Sequence, residues 1–300
     1  MRIIIIGGSG LIGYELYQNA LNANKSVVGT YDTFKRKGLV NFNMKNQSLK
    51  SLIPDLNSSD IVYLLAAYSN PSWIYNNIDT ARELNITATK KIIDEISNIG
   101  CRIIFMSSVE VFDGKKGNYN ENSKPNPLNK YGMMKYEIEK YIESNYENSC
   151  IVRTSWNVGW NLKHRCVISL TYETLLKPNA FMAKDNTFSI ADVRDTALGL
   201  LRLSDFNDIN KCHLASGQKL LVRSELAELV KNTSKYGKLM DYKLTTFSKI
   251  SYTEPRALHN SLNSNFAMEK LKIKFKNPEN IILEKVKFLD DRINELNHSH

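Results

Sequence analysis

The chain has four cysteines in 300 residues, at positions 101, 150, 166 and 212, and no Cys-x-x-Cys pair. That spacing offers neither a disulfide framework nor a zinc knuckle, and it fits the reduced thiols of a cytoplasmic protein. The five histidines show no His-Glu-x-x-His spacing, so no catalytic metal is expected. Fourteen glycines and seven prolines are too few for a collagen-like or linker-rich chain. No apolar stretch reaches the length of a membrane span. The early isoleucine run at 3–6 is shorter than a signal-peptide core and leads straight into glycines.

What is present suits a soluble globular protein: 42% apolar and 24% charged residues. The formal charge is +9, from 40 Lys and Arg against 31 Asp and Glu. The cations are scattered; the longest cluster is Lys35-Arg36-Lys37, and Lys270, Lys272, Lys274 and Lys276 follow near the end. This pattern favours attraction of anionic small molecules over binding of nucleic acid. The length predicts one large α/β unit with a small appended lobe.

Apolar runs at 2–6, 26–31, 61–67, 102–106 and 150–153 alternate with helix-like stretches near 11–22, 74–98 and 128–144. Such alternation predicts parallel strands joined by crossover helices, hence a doubly wound sheet. Its strands read as continuous apolar runs because both faces are covered. Gly7, Ala66, Ala67, Ser107 and Ser108 fall at the strand ends, where ligands bind in such sheets. After Arg153 the pattern loosens. Helix-like stretches return at 192–203 and about 223–233, which predicts an interleaved second lobe.

Gly7, Gly10 and Gly13 stand three apart, after a strand and at the start of a helix. Gly7 permits a tight turn, Gly10 lets the backbone approach a pyrophosphate, and Gly13 lets helix and strand pack closely. The phosphates then meet free N–H groups at the helix N-terminus, to which Leu11 and Ile12 belong. At the end of the second strand an NAD site places a carboxylate on the ribose 2′-hydroxyl. That slot holds Tyr31; Asp32 comes one residue late, and Lys35 and Arg36 follow. Cations beside a missing carboxylate favour a 2′-phosphate, hence NADP(H). The alternative is NAD(H), with Asp32 swinging in.

Tyr131 and Lys135 are one helical turn apart, so their side chains share a face. A neighbouring ammonium stabilises a phenolate and makes tyrosine usable as an acid or base near neutrality. Ser108, just past a strand-like run, can hydrogen-bond a substrate oxygen beside that phenol. A turn or capping role is the plainer reading of a serine taken alone.

With these motifs in this order the chain resembles the extended short-chain dehydrogenase/reductases, and within them the dTDP-4-dehydrorhamnose reductase-like branch. The resemblance covers nearly the whole chain. It rests on GGSGLIG (7–13), LLAAYSNP (64–71), Asn85 in ELNITAT, SSVEVFDG (107–114), PLNKYGMMK (127–135), RTSW (153–156), FSIADVRDTA (188–197) and HLASGQ (213–218). It implies a Rossmann-type doubly wound parallel sheet with a smaller interleaved C-terminal substrate lobe. The first unit is expected at 1–155, with return elements around 186–216, and the lobe at 156–185 and 217–300. It further implies a nicotinamide cofactor and a nucleotide-sugar substrate. Tyr131 would be the acid/base, Lys135 its pKa partner and Ser108 the second hydroxyl. Asn85 would support the site, and Ala66 and Ala67 would line the cofactor. Ser69, Asn157, Arg165 and Arg256 are the expected substrate contacts, the two arginines facing the diphosphate.

The sequence also departs from its relatives. Dehydratases of this kind carry Thr-Asp-Glu where Ser108-Val109-Glu110 stands, so elimination lacks its proton donor. Glu110 occupies a slot where related epimerising enzymes place an acid/base, and His164 would be its partner. The plainer reading pairs Glu110 with a lysine and leaves His164 on the surface. Trp73, Trp156 and Trp160 would either flank a base or fill the core, and Asp192 and Asp195 would cap or orient a helix. The expected protein is thus a cytoplasmic NADP(H)-dependent reductase of a nucleotide-activated 4-keto sugar, serving rare-sugar or surface-polysaccharide synthesis, with a homodimer open to it. The alternatives are an NAD-dependent 4-epimerase, a combined epimerase/reductase, and a non-catalytic NADP-binding regulatory subunit, since one related branch partners a synthetase.

Overall fold

Four consecutive isoleucines show how the molecule is layered. Ile4 and Ile6 point into one apolar core and Ile3 and Ile5 into the other, because side chains alternate along a strand. The structure is a computed structural model, and it describes residues 1–162, 165–216 and 220–292. Seven parallel strands make the central sheet: β1 (Ile3–Ile6), β2 (Val27–Tyr31), β3 (Val40–Asn41), β4 (Ile61–Leu64), β5 (Arg102–Ser108), β6 (Ser149–Thr154) and β7 (Lys211–Leu214). Their order is β7-β6-β5-β4-β1-β2-β3. The order reverses between β1 and β4, which opens a crevice at the strands' carboxyl ends. This is a Rossmann-like α/β fold, as the alternating pattern predicts.

Helices α1 (Leu11–Asn22), α2 (Thr89–Ile99) and α3 (Lys130–Asn145) join the strands. α1 buries Leu16, Tyr17 and Ala20 against Ile3 and Ile5; α2 and α3 cover Ile4, Ile6, Ile103 and Phe105. The helix expected over 74–98 is broken. Pro71–Asn76 is a separate short helix begun by the Asn70 cap, whose Oδ1 accepts from Trp73 N at 3.1 Å. Ile78–Arg82 then runs through a π-helical turn, Glu83–Ala88, into α2. A wide turn of this kind is local geometry that hydrophobic periodicity does not show.

The smaller lobe packs α4 (Val167–Leu175), α6 (Arg223–Thr233) and α7 (Pro278–Asp290) around a third core. Between α4 and α6 the chain returns to the main sheet: α5 (Val193–Leu203) packs against α1, and β7 pairs with β6. Asn265–Leu271, on the lobe side of the expected boundary, puts Ala267 and Leu271 into the core shared with α1. Thr187–Phe188 pairs with Leu221–Val222 and His259–Asn260, away from the main sheet. No helix among the described residues is long and apolar enough to cross a membrane.

Among the described residues one ion pair is wholly buried. Arg153 of β6 meets Glu139 of α3 through two bonds, Nε–Oε1 at 2.9 Å and Nη2–Oε2 at 2.6 Å. His213 of β7 lies beside it, Nε2 3.4 Å from Arg153 Nη1 and Nδ1 3.0 Å from the Tyr119 carbonyl. Burial, then the Arg153 charge, push the His213 imidazole from 6.5 down to about 3. The fold therefore holds it neutral. Above about pH 6.5 both folded and unfolded chains carry it neutral; below that the unfolded chain binds the extra proton. Stability should fall between pH 6.5 and 5 by up to about 1.4 kcal/mol per pH unit from this residue. His213→Asn, whose amide can still donate to Tyr119, should remove that slope in urea melts. Equal losses in both proteins would refute the assignment.

Candidate active site

The turn after β1 needs glycine for two reasons. Gly7 adopts φ +91°, and a Cβ there would lie 2.6 Å from the Ala66 nitrogen. At Gly13 a Cβ would lie 2.2 Å from the Gly7 carbonyl oxygen, so α1 sits directly on the turn. Gly10 begins α1 with no side-chain cap. The N–H groups of the first turn have no partner within the helix, and Leu11, Ile12 and Gly13 line a cleft of about 620 Å³. An adjoining recess of about 210 Å³ shares Gly7, Gly10 and Ala67 with it. A turn with three glycines in four residues beneath an uncapped helix suits a diphosphate.

Asp32 lines the recess with Thr30, Phe34 and Phe42, and its carboxylate accepts from Asn43 Nδ2 at 3.2 and 3.3 Å. Three expected contacts lie off it. Tyr31 gives its carbonyl to Phe42 N at 2.8 Å; Lys35 is exposed and does not line the recess; Arg36 stacks over the Tyr14 ring at 4.3 Å. Cation–π contact with α1 draws this guanidinium away. Ala66 and Ala67 line the recess as expected. Asn85 does not touch the cleft directly. From the π-helical turn its Oδ1 accepts from Tyr68 N at 2.9 Å and its Nδ2 donates to Tyr68 O at 2.8 Å. It fixes the loop after β4 from behind.

β5 ends at Ser108, whose Oγ accepts from Glu110 N at 3.2 Å and starts the tight turn Val109–Val111. α3 is capped by Asn129, whose Oδ1 accepts from Gly132 N at 2.9 Å. A Cβ on Gly132 would sit 2.0 Å from the Glu110 carbonyl oxygen, so helix and turn touch backbone to backbone. This contact brings Tyr131 to the same cleft as Ser108, and both line it with Lys135. Lys135 Nζ donates to the Met106 carbonyl at 2.8 Å and lies 5.9 Å from the Tyr131 ring centre. Burial pushes its ammonium down to about 8, against the pull of Glu139. The Tyr131 phenol is pushed up by burial and then by the Glu110 charge, with only Ser108 opposing. Burial and the Glu110 charge thus set the direction opposite to the lowering expected from Lys135, whose ammonium donates to a carbonyl of β5.

Glu110 is buried without a lysine. Its Oε2 accepts from Asn129 Nδ2 at 2.6 Å and its Oε1 from Asn260 Nδ2 at 2.8 Å. That corrects the plainer reading of the sequence; His164 lies outside the described residues. Ser69, Asn157, Arg165 and Arg256 all line the large cleft. Arg165 is paired with Glu173, and the Asn157 amide is committed to Thr154, Ser155 and Thr196. Sequence reasoning missed Asn129, Asn260 and Glu139. A helix-cap signal marks Asn129, but Asn260 reaches Glu110 across 150 residues. Among the described residues no cluster of His, Cys, Asp and Glu could hold a metal.

Fold and cleft together define a protein of the short-chain dehydrogenase/reductase type. The chain belongs to the RmlD substrate binding domain family, whose model matches residues 1–288. Methionine adenosyltransferase 2 subunit beta of Bos taurus is 33% identical over 153 residues, 51% of this chain and 46% of that protein. The chain thus spans about half the length of the curated relatives it matches. A hypothetical dTDP-4-dehydrorhamnose reductase from Sulfolobus tokodaii superposes with TM-score 0.79 at 24% identity, over 94% of this chain and 99% of that one. The Bacillus anthracis dTDP-4-dehydrorhamnose reductase, in complex with NADP, gives 0.77 at 18%, over 94% and 97%.

Gly132→Ala must part α3 from the Glu110 turn. A loss of about 1–3 kcal/mol in denaturant unfolding is expected, as for other overpacked contacts. A stability within 0.5 kcal/mol of the parent, a bound of about the size of ordinary surface changes, would show that the contact yields cheaply.

Proposed function

We propose that the protein is a nicotinamide-dependent reductase of a nucleotide-activated 4-keto sugar, with NADP(H) as the favoured cofactor. The observation that carries this reading is the convergence of Ser108, Tyr131 and Lys135 on the cleft that holds the uncapped end of α1, with Arg165 and Arg256 reaching it from the smaller lobe. When bound, the cofactor supplies a hydride. Gly7, Gly10 and the first turn of α1 would hold its diphosphate, and Ala66, Ala67 and Asp32 would border its adenosine end. Family membership and the NADP complex of the Bacillus anthracis protein support the choice of cofactor. The Asp32 carboxylate in the recess is the feature that supports NAD(H) instead.

The chain's own part is proton handling and orientation. Tyr131 gives its phenolic proton to the developing alkoxide, and Ser108 donates to the same oxygen and fixes its position. A phenol pushed up by burial holds its proton until a stronger base forms beside it, as an alkoxide does. Arg165 and Arg256 offer planar cations to the substrate diphosphate. Such a product would serve rare-sugar or surface-polysaccharide synthesis.

A second reading draws on the relationship to methionine adenosyltransferase 2 subunit beta: a nucleotide-binding regulatory subunit. A third rests on Glu110, which lines the cleft as a buried carboxylate and would abstract a proton next to the ketone in a combined epimerase/reductase. Deuterium entering the sugar ring from solvent would mark the third.

Tyr131→Phe separates the first two readings. A reductase should lose at least about 100-fold in kcat while its dinucleotide Kd stays within a few-fold. An unchanged rate, or no turnover in the parent across a panel of 4-keto nucleotide sugars, would remove the reductase reading. Asp32→Ser should tighten NADP(H) a few-fold by taking a carboxylate from beside the 2′-phosphate. Weaker binding of NAD(H) together with unchanged NADP(H) would favour NAD(H).

A further inference from the structure

α3 carries a third buried ionisable residue in line with Tyr131 and Lys135. Glu139 stands one turn beyond the lysine and is fully buried. Arg153 grips both of its oxygens from β6, and Arg153 is itself fixed, its guanidinium 5.0 Å from the Phe112 ring centre. Glu139 therefore cannot turn away from the helix face it shares with Lys135.

The groups around the Lys135 ammonium can be named by element. β5 offers the Met106 carbonyl and the Phe105 ring, both uncharged. α3 itself offers Tyr131 and Glu139. The turn after β5 offers Glu110, whose charge acts on Tyr131. Behind Glu139 stand Arg153 of β6 and, beside it, His213 of β7, which is held neutral. On α2, Lys90 is already paired with Glu137. Among these, Glu139 is the carboxylate whose charge acts on Lys135.

We propose that Glu139, locked by Arg153, is a positioning residue for the reaction: it keeps Lys135 protonated in a dry site, so that a cation stands beside Tyr131 at working pH. The proposal rests on the reductase reading for its functional meaning. Its physical content is a charge coupling along one helix face. Loss of the Lys135 proton would take away the cation that stands 5.9 Å from the Tyr131 ring centre, and the alkaline limb of the rate profile would follow that proton.

The test uses the full chain labelled with [ε-13C]lysine, with the Lys135 signal assigned by its disappearance in Lys135→Met. Glu139→Gln alone strands a buried guanidinium and can cost several kcal/mol of stability. The double variant Glu139→Gln with Arg153→Met removes both charges and keeps the pair neutral. In either variant that folds the Lys135 titration should drop, by about one pH unit or more in the single variant and by less in the double, where the lost guanidinium offsets part of the lost carboxylate. The alkaline limb of kcat/KM should shift with it, while kcat well below both limbs should change less than about threefold. A Lys135 titration within about 0.3 units of the parent in the folded double variant would overturn the proposal. Absence of turnover alongside the expected drop would count against the reductase reading and leave the coupling standing.

Discussion

The backbone of α3 rests on the backbone of the turn that ends β5, and the chemistry hangs on that contact. Gly132 lies against the Glu110 carbonyl with no room for a side chain. Because the contact falls at the helix's first turn, it sets the height of Tyr131, then of Lys135, then of Glu139, each one turn further along. Asn129 secures the same junction twice, with its oxygen on Gly132 N and its amide nitrogen on Glu110. A single asparagine thus holds a helix end and a buried carboxylate, so the positions of the two groups are coupled.

Much of the fold is legible in the sequence. The parallel sheet was legible because both of its faces are covered, which leaves strands such as Ile3–Ile6 apolar throughout. The glycine turn was legible because sterics admit no other residue at positions 7 and 13. Tyr131, Lys135 and Ser108 stand out by spacing along one element or at its end.

The remainder depends on contacts between distant segments, which no local pattern carries. Asn260 meets Glu110 from the far end of the chain. Arg36 sits near the expected ribose by count, yet the Tyr14 ring holds it elsewhere. The motif marks Asn85, but its task, gripping the Tyr68 main chain, follows from a π-helical turn. The acidity of Tyr131 went the other way from expectation because helical spacing says nothing of burial or of which acceptor the lysine chooses.

The route of the chain between its two lobes has a consequence for how such a protein can diversify. The chain leaves the main sheet after β6, returns with α5 and β7, leaves again, comes back with Asn265–Leu271, and then re-enters the smaller lobe with α7. The segment bearing Arg256 and Asn260 lies inside the second excursion. Exchanging the smaller lobe for that of another protein would need several simultaneous splices, each meeting a packed core. Small changes within the excursions are therefore the easier path to a new substrate, and recombination of whole lobes is the harder one.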